Sequence, residues 1–332
     1  SRRRHTRFRN VTGVQTCALP ISALALGVPV KWSEDRAENF TAAVLERTQI
    51  WDLEAAFEKD GRLQAVRGHM IHDHGANTPY GVALPYNAAT NMIGPYVLPA
   101  CDLVISLCLT NLTPAAPTRG AGRPQGTFAM ERLLDEAASM LGLSRDEIRR
   151  RNFIQPAQMP FATEVKQRDG SAMIYDSGDY PETQRLALEK SGWADFLERR
   201  GQARAQGRYL GIGLCAYVEG TGRGPFESVS LRIDSTGTIT LATGATAQGQ
   251  GVKTMLAQIA SARLGVAPES LRVVDGDTDS IAHGLGAFAS RQAVTAGNAA
   301  DIASARVAAK AIEAAAAILK LPAEDLEQIG RA

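Results

Sequence analysis

The chain has 332 residues, of which 45% are hydrophobic and 21% are charged, and its formal net charge is +1. This length allows two domains, the composition is that of a globular protein, and the charge balance gives no indication of nucleic-acid binding. The sequence contains no run of 18 apolar residues, so no transmembrane helix is predicted.

The four cysteines are Cys17, Cys101, Cys108 and Cys215. No two of them have the C-x-x-C spacing, so the sequence predicts neither a zinc site nor an iron–sulfur cluster. We expect reduced thiols in a cytoplasmic protein.

The first 22 residues differ in character from the rest of the chain. Five arginines lie before residue 10, whereas the remaining sequence carries more acidic than basic side chains. The apolar run over 18–21 is short and contains Pro20, so it is a poor secretory signal. The segment resembles translated sequencing-adapter read-through. We therefore predict that residues 1–22 are non-native and disordered or poorly packed, and the alternative is a basic targeting arm.

Residues 23–154 mix strand and helix patterns, with turn residues between them. Lys59-Asp60-Gly61 predicts a hairpin turn, and Ser144 with Glu147 predicts a capping box at a helix start. The apolar run over 103–109 predicts a buried strand. The predicted elements are the end of a helix over 23–27, strands over 29–32, 47–57, 63–71 and 103–109, and helices over 126–141 and 144–151.

Three histidines and an aspartate lie close together in the chain, at His69, His72, Asp73 and His74. These residue types can bind a metal ion. The period of a strand places His72 and His74 on one face and His69 on the other, which favours hydrogen-bonded or solvated histidines instead.

Arg149, Arg150 and Arg151 end the second predicted helix of this region. Positive charge is favourable at the carboxyl end of a helix, so the triplet is interpreted as a solvated helix end.

The second half of the chain begins with a change in composition. Prolines and glycines interrupt residues 155–179, which predicts a loop-like crossing between two domains. A helix over 181–204 follows, and then a region rich in strands. The predicted elements there are strands over 211–218, 228–233, 238–243 and 271–274, and helices over 252–264 and 292–319.

Three glycine-bearing loops each precede a predicted helix, over 118–125, 246–251 and 284–291. Glycine lets a ligand approach the backbone, and amides at a helix start attract anions. None of the three loops has the GxxxxGK[ST] or the Rossmann pattern. Together they suit a large ligand with several phosphate or oxo groups, and the alternative is that they are ordinary turns.

The motifs along residues 23–332 resemble the molybdopterin-binding large subunit of the xanthine dehydrogenase family, and in particular the aerobic carbon monoxide dehydrogenase large subunit in its form II branch. The motifs that carry the resemblance are LGVPVKWSEDRAENF from Leu26, GPYVLP from Gly94, TRGAGRPQGTFAMERLLDEAA from Thr118, RRRNFI from Arg149, YDSGDYP from Tyr175, GQGVKTMLAQ from Gly249 and GAFASRQAVTAGNA from Gly286. The resemblance implies an α+β fold with two molybdopterin-binding domains, over 23–180 and 181–332, both incomplete in this chain.

The resemblance also implies the ligand and its contacts. The expected cofactor is Mo-molybdopterin, in the cytosine dinucleotide form. Arg119 is the implied catalytic residue beside the metal. The implied cofactor-binding residues are Arg119, Gly120, Ala121 and Gly122 in the loop beside the metal, Gln250 and Gly251 near its oxo side or the pterin, and Gly286, Ala287, Phe288, Ser290 and Arg291 around the pterin and its phosphates.

The implied reaction is hydroxylation or oxidation of a small molecule with oxygen from water and hydride transfer to the molybdenum centre. Electrons would leave through an iron–sulfur small subunit and an FAD-containing medium subunit. The copper-binding cysteine of true carbon monoxide dehydrogenases is replaced by Gly120, so an aldehyde or an N-heterocycle is expected as substrate. The catalytic glutamate of the family is expected outside these residues. We therefore predict that the chain alone is inactive. The alternative is that it is a non-catalytic cofactor-binding or structural fragment.

Overall fold

The computed structural model describes residues 15–44, 46–77, 80–167, 169–222 and 224–326, and the chain divides into two compact units. We call Val44–Glu219 the central unit and the described residues on either side of it the flanking unit. The helices are α1 (Gln15–Leu26), α2 (Arg36–Ala42), α3 (Ala83–Asn91), α4 (Arg123–Leu141), α5 (Arg145–Asn152), α6 (Tyr180–Ser191), α7 (Phe196–Ala205), α8 (Val252–Leu264) and α9 (Gln292–Leu319). The strands are β1 (Gln49–Phe57), β2 (Leu63–Gly75), β3 (Ala100–Leu109), β4 (Phe161–Lys166), β5 (Ala172–Tyr175), β6 (Val229–Ile233), β7 (Ile239–Thr243) and β8 (Leu271–Asp275). The predicted α+β class is confirmed.

The central unit is built on the sheet β1-β2-β3. Strands β1 and β2 form the predicted antiparallel hairpin, and β3 pairs parallel to β2 after the crossover through α3. Apolar residues of the sheet and of α4 and α5 form one core, with Met130, Leu134 and Ile148 fully or almost fully buried.

Helices α3 and α4 approach each other backbone to backbone. A Cβ atom at Gly122 would lie 2.4 Å from the Leu84 carbonyl oxygen, and one at Gly126 would lie 2.1 Å from the Ala88 carbonyl oxygen. Only glycine fits such distances, so these two positions fix where α4 begins. The loop before α4 is thereby held against α3.

Two predictions for the central unit are wrong because they treated segments in isolation. Strand β3 is an edge strand among the described residues, and its Val104 and Leu109 side chains are mostly exposed rather than buried. Residues 155–179 contain the antiparallel hairpin β4–β5, with a turn around Gly170, rather than a crossing loop. An apolar run can lie on an edge strand as well as in a buried one, and the prolines and glycines of 155–179 flank or turn a short hairpin.

Three further element predictions need correction. Residues 29–32 and 211–218 have no regular secondary structure, because neither segment pairs with a strand. The single helix predicted over 181–204 is two helices, α6 and α7, since Gly192 ends α6 in the left-handed region with φ 63°. Glycine there is a usual helix terminator.

The prediction that the arginine triplet is a solvated helix end is wrong for Arg149. Its side chain is fully buried in the central unit, whereas Arg150 is exposed and pairs with Glu147. Arg149 donates to Glu131 from Nε at 2.8 Å and to Asp135 from Nη2 at 2.8 Å. Glu131 also accepts the Tyr96 hydroxyl proton at 2.5 Å. The residue therefore links α4 to α5 through a buried ion pair.

The sheet of the flanking unit is β6-β7-β8. Strand β6 is antiparallel to β7, and β7 connects through α8 to the parallel strand β8. Helices α8 and α9 pack on one face of this sheet, and the described bounds of both helices agree with the predicted ones. The β7-α8-β8 crossover matters for function, because ligands bind at the carboxyl ends of parallel strands where the next helix begins.

The predicted non-native segment lies partly outside the described residues, which begin at Gln15. From Gln15 the chain is helical as far as Leu26, where disorder or poor packing was predicted. Leu24 is 82% exposed and Leu26 is 67% exposed, so this helix packs little. The non-native origin of residues 1–22 stays a prediction, as do the domain boundaries at residues 22 and 180.

His72 and His74 lie on the same face of β2, as the strand period predicted, but both are fully buried rather than solvated. Gln49 Oε1 accepts from the Trp51 indole at 3.0 Å, so Gln49 Nε2, at 3.1 Å from His72 Nδ1, is the donor to that imidazole. His69 lies 2.7 Å from the Ser106 hydroxyl. Burial, with a smaller effect of His74, lowers the pKa of His72 to about 4.

Acidification from pH 7 to pH 4 is expected to destabilise the chain through His72. The unfolded imidazole takes up a proton near pH 6.5, whereas the folded one resists until about pH 4. Stability is therefore retained above pH 6.5 and lost as the pH falls to 4, by up to about 3 kcal/mol. Urea denaturation at several pH values tests this, with His72→Gln as the control. An equal pH dependence in the variant would contradict the assignment to His72.

Candidate functional site

The arginine–glycine loop enters α4 through an unusual backbone. Gly120, Ala121 and Gly122 have φ values of 101°, 48° and 92° in succession. The carbonyl oxygen of Arg119 accepts a hydrogen bond from Arg47 Nη2 at 2.6 Å. The side chain of Arg119 is exposed. Glycine adopts such φ values at no cost, but Ala121 does not, and a strained non-glycine residue that its surroundings hold in place points to a functional loop.

This loop presents unused hydrogen-bond donors. Among the described residues, the backbone N–H groups of Gly122 and Gln125 have no hydrogen-bond partner. The Gln125 side chain is buried, and its Nε2 atom also has no partner, while its Oε1 lies 3.5 Å from Arg47 Nη1. Buried donors normally have partners, so an acceptor that binds at the start of α4 would satisfy them.

The loop that contains Gln250 and Gly251 connects β7 to α8. Gly251 precedes the helix with φ 81°, and no side chain caps the helix start. The N–H groups of residues 250–254 are unpaired within the part of the chain that the structure describes. A Cβ atom at Gly251 would meet nothing within 4 Å, so the space in front of these amides is open. Such a helix start is a ready anion site.

The third loop, which contains Gly286, Ala287, Phe288, Ser290 and Arg291, leads into α9. Ala289 and Ser290 adopt left-handed conformations with φ 50° and 51°. As in the arginine–glycine loop, non-glycine residues in this region indicate strain at a functional position. The Phe288 ring is 51% exposed, so it is available to a ligand.

The second and third loops contact each other within the flanking unit. Gln248 Nε2 donates to the Ala287 carbonyl at 3.3 Å, and Gln250 Nε2 donates to Gln292 Oε1 at 2.6 Å. Gln292 in turn donates to the Thr246 carbonyl at 2.9 Å. The structure therefore places the loop that contains Gln250 and Gly251 beside the loop 286–291, and their binding of one shared ligand stays a prediction.

Arg291 was expected to contact a phosphate of the cofactor, but in the structure its side chain contacts other residues of the protein. Its side chain is fully buried, and Nη1 donates to Glu227 Oε2 at 2.7 Å and to the Gly286 carbonyl at 3.2 Å. Its Cζ atom lies 5.0 Å from the centre of the Phe288 ring. In this arrangement Arg291 holds the loop closed, and its contact with a phosphate stays a prediction.

Glu227 is the functional residue that the sequence reasoning missed. It is buried just before β6, and its carboxylate accepts from the Leu285 amide at 3.2 Å as well as from Arg291. No motif contains it, since it lies 64 residues from Arg291 in the chain. A lone glutamate in a segment otherwise rich in Gly and Pro was the one available signal.

The residues present fit an anionic, phosphate-bearing cofactor. Both helix starts in the flanking unit carry unsatisfied amides, and the loop before α4 carries a buried unpartnered amide group. Backbone N–H groups at helix starts and concave loops are the usual protein ligands of phosphate. Arg119–Gly122 belongs to the central unit, so the joining of that loop with the other two stays a prediction. Within the described residues, no cluster of three or more His, Cys, Asp and Glu side chains could hold a metal ion.

Comparison with known proteins agrees with this chemistry. Residues 11–153 and residues 186–331 each match the family described as the molybdopterin cofactor-binding domain. The chain belongs to the molybdopterin cofactor-binding family. This molybdopterin-binding chain has, among its described helices, none that is both long and apolar enough to span a membrane.

Its relatives include large subunits of molybdenum enzymes. It is 35% identical to the 6-hydroxypseudooxynicotine dehydrogenase complex subunit gamma of Paenarthrobacter nicotinovorans, over 98% of this chain and 42% of the relative. It is 32% identical to the carbon monoxide dehydrogenase large chain of Afipia carboxidovorans, over 96% of this chain and 42% of the relative. Both alignments use about two fifths of the relative's length.

A solved structure is also similar to this chain. Quinoline 2-oxidoreductase from Pseudomonas putida 86 superposes with a TM-score of 0.83 and 33% identity, over 97% of this chain and 43% of that one. The predicted resemblance to large subunits of the xanthine dehydrogenase and carbon monoxide dehydrogenase type is confirmed, as is the α+β fold with two molybdopterin-binding domains.

Proposed function

We propose that this chain is the cofactor-binding part of a molybdenum hydroxylase large subunit. The observation that carries the proposal is the contact between the loops that precede α8 and α9, together with the unpaired amides at the open start of α8. Gln250 and Gly251 bind one side of the pterin, and the backbone from Gly286 to Ser290 binds its phosphates. The cofactor is Mo-molybdopterin in its cytosine dinucleotide form.

The cofactor, when bound, supplies oxygen transfer from water and acceptance of hydride from the substrate. The protein positions and polarises the reactants. Arg119, with its exposed guanidinium and fixed backbone, stabilises negative charge that develops on an oxygen of the substrate. The buried Gln125 amide donates a hydrogen bond into the same site.

The substrate proposed is an aldehyde, an N-heterocycle or a similar small molecule. Gly120, Ala121 and Gly122 offer no sulfur for a copper ion, which argues against carbon monoxide. The proposed partners are an iron–sulfur small subunit and an FAD-containing medium subunit in the cytoplasm, because the electrons taken from the substrate need carriers beyond this chain.

Molybdenum binding to the 332-residue chain, produced with molybdate and a complete cofactor pathway, tests the proposal. We expect Gly251→Asp to lower the molybdenum content at least tenfold, because a carboxylate at the start of α8 repels phosphate. Asp tolerates the left-handed backbone and favours a helix start, so the fold is retained.

Gly251→Asn is the matched control, because it has the same size and the same backbone tolerance without the charge. We expect Asn to keep more than half of the molybdenum. Absence of molybdenum from the unaltered chain, measured by elemental analysis, would defeat the cofactor proposal. Bound molybdenum without turnover of any aldehyde or N-heterocycle would favour the second candidate, a non-catalytic cofactor-binding fragment.

A further inference from the structure

A polar cleft in the flanking unit lies on the side of the sheet away from α8 and α9. Its volume is about 830 Å³, and residues from all three strands line it together with the loops after β7 and β8. Leu231, Leu241 and Val273 point toward the helices and pack in the core. Neighbouring positions along each strand point the other way, so the cleft is formed by the opposite face.

Three side chains form a row across this face. Arg232 on β6 is directly opposite Thr240 on β7, and Thr240 is directly opposite Arg272 on β8. Adjacent strands lie about 4.8 Å apart, so the two arginines flank Thr240 about 10 Å apart at their backbones. Both guanidinium groups can therefore reach an oxyanion held over the Thr240 hydroxyl.

The acidic residues near the cleft contact partners other than these two arginines. Asp275 pairs with Lys253 Nζ at 2.6 Å and accepts from the Ala247 amide at 2.8 Å. Burial opposes it, but these contacts lower the pKa of Asp275 below its usual value, so its charge is fully committed to them.

The other two carboxylates are also engaged. Asp277 accepts from the Ser280 hydroxyl at 2.8 Å, and Asp234 accepts from the Thr236 hydroxyl at 2.6 Å and from two backbone amides. Among the described residues, neither Arg232 nor Arg272 forms an ion pair within 4.0 Å. Both guanidinium groups can therefore contact a bound oxyanion directly, although Asp234 is near enough to Arg232 for their charges to interact.

The start of α8 adds to the positive potential of the cleft. Thr246, Gln248 and Lys253 line it from the loop and the first turn of that helix. The partial positive charge of a helix start and two unpaired guanidinium groups all favour a doubly charged oxyanion.

We propose that this cleft binds a phosphate group between Arg232 and Arg272, with the Thr240 hydroxyl as the third donor. The donors of this site are side chains rather than the amides of the loops at Gly251 and Gly286, although the cleft extends to the start of α8. Binding of a free phosphate to these side chains does not depend on the molybdenum assignment. The phosphate can come from a nucleotide portion of the cofactor or from a free phosphorylated molecule, since the same donors serve both.

Isothermal titration of the 332-residue chain with pyrophosphate tests the site. We expect saturable binding, about tenfold weaker in Arg232→Ala and in Arg272→Ala, and at least a hundredfold weaker in the double variant. Arg306→Ala, an exposed arginine on α9, is the control and should bind as the unaltered chain does. Circular dichroism melting confirms that each variant folds, because all of these side chains are exposed.

Cytidine diphosphate distinguishes the two sources of phosphate. If cytidine diphosphate binds more tightly than pyrophosphate, and the double variant loses this binding, the cleft is assigned to a nucleotide. If the two ligands bind equally, it is assigned to a free phosphorylated molecule. Lack of pyrophosphate binding to the unaltered chain, or equal binding to the double variant, overturns the proposal. Molybdenum content is measured independently, so the two proposals can fail separately.

Discussion

Replacement of Arg149 by alanine is expected to lower the free energy of unfolding by about 3–5 kcal/mol. The side chain is fully buried, and its loss leaves Glu131 without its guanidinium partner in the core between α4 and α5. Burial raises the pKa of Glu131 even with Arg149 present. In the variant that carboxyl group binds a proton more strongly still, so the loss of stability should be larger at pH 8 than at pH 5.

Urea denaturation at both pH values measures the effect of Arg149→Ala. Arg150→Ala is the matched control, because Arg150 is next in the chain and pairs with Glu147 at the surface. Its loss should be much smaller. The double variant Glu131→Gln, Arg149→Met removes both charges and should recover a large part of the stability. Equal losses for Arg149→Ala and Arg150→Ala would show that the buried pair is not what joins the two helices.

Arg291→Met is the second replacement with a large expected effect, about 3–5 kcal/mol in the flanking unit. Methionine matches the length of the side chain, but Glu227 then stays buried with its charge uncompensated. The carbonyl groups of Gly286 and Phe226 also lose their donor. We therefore expect the loop from Gly286 to Ser290 to open, and the Leu285 amide, which donates to Glu227, to exchange with deuterium faster than in the unaltered chain.

Arg263→Ala provides the comparison for Arg291→Met. Arg263 forms an ion pair with Asp301 through two contacts of 2.7 and 2.8 Å, but both side chains are substantially exposed. For Arg263→Ala we expect little change in stability and no change in the exchange of the Leu285 amide. Unchanged exchange in Arg291→Met would contradict the role of the Glu227–Arg291 pair in holding the loop.

Local patterns predicted the long helices α4, α8 and α9, because their apolar residues recur at helical spacing, whereas the short helices α2 and α3 were missed. The bounds of α8 and α9 were predicted to the residue. Strands were less predictable, since a strand exists only where a partner is available. Residues 211–218 have a strand-like composition and no partner, whereas β4 and β5 pair with each other around Gly170.

The candidate site also has parts that the sequence predicted and parts that it did not. Its loops were predictable because glycine and small residues before a helix have a direct chemical meaning. The buried groups that support them were not. Arg149 looked like a solvated helix end, and Glu227 belonged to no motif, because both are defined by contacts with residues that are distant in the chain. Burial and charge pairing of this kind require the tertiary structure.

The division of the chain into units has a consequence for its synthesis. The central unit is continuous in the chain, whereas the flanking unit takes residues from before Val44 and after Glu219. At a translation rate of about 5–20 residues per second, the central unit can fold on the ribosome while the rest is still being made. The first part of the flanking unit must wait on the order of ten seconds for its sheet and for α8 and α9.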